Sequence, residues 1–192
     1  MCIRDSIGVG DFNARQIANF ARIFYKQEEL LLKAAGTLQR RIDSYTRRTD
    51  REFIARLEKA KPATREELNK AWFGYANPNP AHYDSMRYHA INLNNVWRTG
   101  TVEVRAFNGT THAGEVKSHI ILCLAIAALA KNAKCASTKN QRPFNEASAK
   151  YDMRVFLLRL GLIGPEFKNV RMHLLKHLPG NTAWKHGRPE GR

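Results

Sequence analysis

The chain has 192 residues and carries 32 Lys and Arg against 17 Asp and Glu, a formal charge of +15, with 43% apolar residues and only 12 Gly and 7 Pro. That balance excludes an acidic, self-repelling surface, a collagen-like or linker composition and a wholly disordered chain, and it supplies enough apolar material for a core. At this length one domain is expected, since two would each fall below about 100 residues.

The first element predicted in chain order is a helix over residues 11–35. Ile17, Phe20, Ala21, Phe24, Leu31, Leu32 and Ala35 recur at the three-and-four spacing of a single apolar stripe. Asn13 and Gln16 stand where a capping box would, Phe12 and Ile17 where a hydrophobic staple would, and Gly36 follows as a terminator. Five arginines then crowd between positions 40 and 51, ahead of a shorter helix over 52–60. Thr64-x-x-Glu67 caps a third helix, and GYANPNPAH, with Pro78 and Pro80, is a loop.

The period then changes. Residues 87–96 and 101–107 alternate as strands, and Trp97-Arg98-Thr99-Gly100 is short enough to turn a hairpin. Next come an apolar helix near 115–132, a polar loop with Pro143, and helices over 146–160 and 165–177 separated by Gly161 and Gly164. The apolar run over 120–130 is well short of the ~20 residues that a membrane span needs and reads as a buried helix. From residue 179 no periodicity remains, and a flexible basic tail over 179–192 is expected. No signal-peptide pattern opens the chain. Three cysteines, Cys2, Cys123 and Cys135, show neither even pairing nor metal spacing. A cytoplasmic protein without membrane association is the expectation.

A four-residue turn places Val96 opposite Thr101, Asn94 opposite Glu103, and Asn92 opposite Arg105. Leu93 and Ile91 then meet Val104 and Ala106. One face of the sheet is apolar and the other presents Asn92, Asn94, Glu103 and Arg105. A carboxylate, a guanidinium and amides are the inventory for an anionic ligand held through a divalent cation. By spacing alone, a cross-strand salt bridge on a solvated face is the simpler reading.

The residues themselves bear on that choice. RYHAINLNNVWRTGTVEVRAFNGT, followed by an apolar helix, resembles the signature of the amidoligase family, relatives of glutamine synthetase and glutamate-cysteine ligase. DFNARQIANFARIFYKQEELLLKAAG and the YTRR after it resemble the family at the matching distance upstream, so the likeness covers about residues 11–131. It implies an α+β fold, helices packed on one face of a small antiparallel sheet, forming part of a glutamine synthetase-like catalytic domain over 11–178. It also implies ligation of a small-molecule or peptide carboxylate to an amine with ATP and Mg²⁺ through an acyl phosphate. Carried over residue by residue, Glu103 binds the metal and Arg105 contacts the transferring phosphoryl group. Asn92 touches nucleotide or substrate, and Arg41 and Arg47 add charge near the phosphates.

One departure stands out. Family members begin with a strand of paired carboxylates and then carry a histidine before the long helix, whereas MCIRDSIGVG has neither. Residues 1–10 therefore read as an atypical or artificial start, and slow or absent turnover is expected of the chain as given.

Other candidates have plainer readings. His173 and His177 lie four apart on a helix, but no third ligand is evident, and solvent exposure is expected. His112 and His119 read as capping or surface groups, and His89 as a hydrogen-bonded core histidine. Cys123 reads as core. From residue 168 onward six Lys and Arg face one acidic residue, so nucleic-acid binding by a basic helical domain is the alternative function. A structural protein derived from the ligase fold is a third. No feature fixes the oligomeric state.

Overall fold

A computed structural model describes residues 5–139 and 143–186. Its sheet is three-stranded and antiparallel, with β1 (Asp5–Gly8) and β2 (Ile91–Asn92) flanking a central β3 (Thr101–Val104). Seven helices accompany it among the described residues: α1 (Ala14–Ala34), α2 (Gln39–Ser44), α3 (Arg51–Ala60), α4 (Arg65–Phe73), α5 (Ala113–Asn132), α6 (Ala149–Arg159) and α7 (Lys168–Leu175). The architecture is α+β, as the sequence predicts. Cys2 and the tail beyond residue 186 lie outside the described residues.

The ends of α1 follow from its local chemistry. Asn13 Oδ1 accepts from Gln16 N at 3.0 Å while Gln16 Oε1 accepts from Asn13 N at 2.9 Å, closing the capping box. At the other end Gly36, at φ +61°, donates to Lys33 O and Thr37 N donates to Leu32 O, the paired bonds of a Schellman motif. Thr64 and Glu67 close a second capping box on α4. Between α3 and α4 Phe53 meets Trp72 edge to face at 4.7 Å, both fully buried with Leu57 and Leu68.

Helix α5 packs against α1, β1 and α7. Leu122, Ile126 and Ala130 are buried, yet Ile120 and Leu124 on the opposite side are exposed, so the apolar run is only half covered within this chain. Glu28, on α1, is itself buried and accepts from Thr49 N at 2.8 Å and Thr49 Oγ1 at 2.5 Å. That pair fastens the arginine-rich segment to the main helix.

Residues 5–8 form a strand that pairs with β3, and Ile7 and Val9 are buried in the core. Helix α2 was not predicted; none of its six residues is buried, so no apolar stripe marks it. Near residue 179, Pro179 O accepts from Lys150 N at 3.1 Å and Leu178 is buried.

The hairpin also differs in detail. β2 has two residues, and its register sets Asn92 opposite Glu103 and Ile91 opposite Val104, a shift of two from the expected pairing. The cause is Asn92, whose Oδ1 accepts from Asn94 N at 2.8 Å and turns the chain into a 3-10 turn over Asn94–Val96. A shift of two preserves the faces. Asn92 and Glu103 still share a side, and Ile91, Val102 and Val104 are buried on the other.

Candidate active site

The centre of the polar sheet face is Glu103, on the strand flanked by both others. Its Oε2 accepts from Asn92 Nδ2 at 2.7 Å, Asn95 Nδ2 at 3.3 Å and Arg105 Nη2 at 3.4 Å, while its Oε1 lies 3.1 Å from Arg105 Nε. Carboxylate and guanidinium thus form a close buried ion pair joined by one long hydrogen bond. The guanidinium also lies over the Tyr88 ring, 5.4 Å from its centroid.

This cluster is not the solvated face that alternation alone implies. Glu103 and Arg105 are each only 2% exposed, and Asn92 and Asn94 1%. The long turn after β2 and the segment through Tyr88 cover them, whereas on the β1 side Ser6 and Gly8 are exposed. The site is therefore a buried polar cluster under the sheet's covered face. Asn94, expected beside Glu103, instead sends Nδ2 to Ala81 O at 3.1 Å, and its Oδ1 is buried without a hydrogen-bond partner among the described residues.

The two arginines assigned to phosphate part company. Arg41, on α2, donates from Nη2 to Arg105 O at 3.2 Å, alongside Thr46 Oγ1 at 2.9 Å. Arg47 is joined by its backbone to the chain before β2, with N donating to Tyr88 O at 2.9 Å and O accepting from Ala90 N at 2.8 Å. Its guanidinium is exposed and donates to Ser85 O at 2.8 Å. Glu103, Arg105, Asn92 and Arg41 are brought together; Arg47 reaches the cluster only through its backbone.

Sequence reasoning missed Tyr88, Asn95 and Thr46. A consecutive Asn94-Asn95 following Asn92 is the signal for the turn that delivers Asn95. Tyr88 has two guanidinium groups over its ring, those of Arg87 at 5.7 Å and Arg105 at 5.4 Å from the centroid, and nothing in local spacing announces that.

Magnesium requires close to octahedral oxygen coordination, supplied in part by substrate phosphates. In this arrangement the Glu103 carboxylate is already engaged by two amides and a guanidinium, so it does not fit that ion as it stands. What the arrangement does supply is a guanidinium fixed in place by a buried carboxylate.

The histidines divide as well. His89 is buried and its Nδ1 lies 2.9 Å from Met86 O, the expected core role, with burial holding its pKa below the usual range. His112 caps α5, as expected, accepting from Glu115 N at 3.3 Å. His119, expected to cap or lie at the surface, is buried and stacked on Phe107 at 4.1 Å, and burial draws its pKa down to about 4. Cys123 is a buried core residue.

A small antiparallel sheet backed by helices, with a Glu-x-Arg pair at the end of its central strand, defines the class of fold. A family model described as "Putative amidoligase enzyme" matches residues 6–127, about two thirds of the chain, and the protein belongs to that family. No curated protein and no solved structure gives a significant match.

Proposed function

We propose that this domain joins a carboxylate to an amine at the expense of ATP. The observation that carries the reading is the Glu103–Arg105 pair, buried at the end of the central strand within the span matched by the amidoligase family. In the proposed reaction a carboxylate oxygen attacks the γ-phosphorus, ADP leaves, and the amine then attacks the acyl carbon and releases phosphate carrying one former carboxylate oxygen. Both steps move negative charge, and a guanidinium already held in place stabilises that charge without reorganising.

Arg105 is the residue proposed to meet the phosphoryl oxygens, Glu103 positions it, and Asn92 holds Glu103. Arg41 adds positive charge on the carbonyl side of Arg105. Magnesium is proposed to accompany the nucleotide, with its coordination drawn from phosphate and water oxygens.

The test is oxygen transfer. With ¹⁸O-labelled carboxylates, L-glutamate first, and hydroxylamine as the amine, label should appear in the released phosphate together with a hydroxamate, at the slow rate expected of this chain and over long incubation. Arg105→Lys, which keeps the charge but loses the planar fork, should lower that transfer by about 10²-fold while leaving the fold intact. Phosphate release without label, or equal transfer in the variant, overturns the assignment.

A further inference from the structure

Helix α5 begins at a point where another element meets it. His112 caps the helix, Glu115 occupies its first turn, and α7 packs along the same helix. That packing brings in His173. The rings of His112 and His173 lie 5.0 Å apart, and one ligand atom from each of His112, Glu115 and His173 falls within 4.8 Å of the others. The sequence displays only His173 and His177, four apart on one helix. The fold separates them, because His177 lies against Gly36 while His173 finds its partners about sixty residues upstream.

Two features suit this group to a ligand beyond mutual packing. His173 Nδ1 is buried with no hydrogen-bond partner among the described residues. Gly114 leaves the space that the imidazole uses, since a Cβ there would lie 2.5 Å from His173 Nε2 and 3.0 Å from His112 Cε1. Glu115 is an anion throughout the neutral range, as hydrogen bonds from Lys176 and Thr110 hold its pKa down to about 2.

We propose that His112, Glu115 and His173 bind a divalent transition ion, zinc in the first instance, which clasps α7 to the first turn of α5. Two imidazole nitrogens and one carboxylate oxygen, with water in the fourth place, form a tetrahedral set for zinc, whereas Mg²⁺ and Ca²⁺ take oxygen ligands. Closing the set around bonds of about 2.0–2.1 Å draws the side chains inward. His112 is exposed and free to swing, at the cost of its 3.3 Å capping bond. Lys176 engages Oε1 of Glu115 and Thr110 also donates to this carboxylate, so the ion competes with the Thr110 bond. This site is independent of the ligation reading and uses none of its residues.

The experiment is titration of the untagged full chain with Zn²⁺ by calorimetry and with Co²⁺ by visible absorption. One ion per chain, the intense bands of four-coordinate cobalt, and a zinc-dependent rise in Tm are expected. Glu115→Gln and His173→Ala should each weaken binding about tenfold or more. Gly114→Ala, which removes no ligand, should also weaken it by displacing the His173 ring. Cys135→Ser and His82→Ala should leave it unchanged. Should His173→Ala fail to fold, Glu115→Gln and Gly114→Ala decide. Absence of stoichiometric binding, or binding that survives both of those variants, overturns the site and assigns any bound ion to exposed groups elsewhere.

Discussion

Glu103 on β3 and Arg105 just past its end have almost no exposed surface, and a charge in that position is tolerated only while its partner is present. Removing one partner strands the other. Arg105→Ala should therefore destabilise the fold by about 3–5 kcal/mol, read as a lowered urea midpoint. An open sheet face, as alternation suggests, would have made that loss small. The identities of Glu103, Arg105 and Asn92 were legible in TVEVR and INL because side-chain alternation sorts them to one face. Their burial was not, since it depends on Asn95 and Tyr88 arriving from segments with no periodicity of their own.

Glu28 gives a residue-scale prediction in pH. Burial raises its pKa above the ordinary glutamate value, against the opposing pull of Thr49 and Arg48. The folded chain thus binds this proton more tightly than the unfolded chain does. The associated stability is fully present below the unfolded pKa and is lost as pH rises through the higher folded value. Glu28→Gln stays neutral and keeps an oxygen to accept both Thr49 bonds. Urea unfolding of parent and variant should agree near the low end of the glutamate range, and the variant should become the more stable as pH climbs above it. A difference that stays constant with pH would show that Glu28 is not the titrating group.

Among the elements, α1 was the most legible, because its stripe, cap, staple and terminator are all local signals and all agree. Asn13→Ala removes one half of the capping box and should cost about 1 kcal/mol, with the denaturant slope unchanged. The hairpin was less legible. Its turn is set by a side-chain bond from Asn92 that competes with continued pairing, so β2 stops after two residues where alternation carries on. Helix α2 left no pattern, since its placement rests on Arg41 and on Thr46 just beyond it, both donating to one strand carbonyl.

Over the whole molecule, the basic charge is only partly a free surface property. Arg171 donates to the carbonyls of Leu162, Ile163 and Gly164 in the connection that follows α6, and Lys176 pairs with Glu115. Two cations of the basic C-terminal run thus hold parts of the fold together. A count of charges in the sequence does not separate such groups from those left to meet a polyanion.

The order of strands in the sheet bears on how the chain is made. β1 leaves the ribosome early, but its partner β3 follows roughly a hundred residues later. At about 5–20 residues per second the interval is on the order of 5–20 s, far longer than a helix needs to form. Throughout that time α1, α3 and α4 can settle their local bonds, while Ser6 and Ile7 have no ladder to join and Glu103 does not yet exist. The sheet, and with it the candidate site, can close only once position 104 is clear of the exit tunnel. Until then the nascent chain presents a short unpaired strand to its surroundings, a stretch of backbone donors and acceptors that water alone must satisfy.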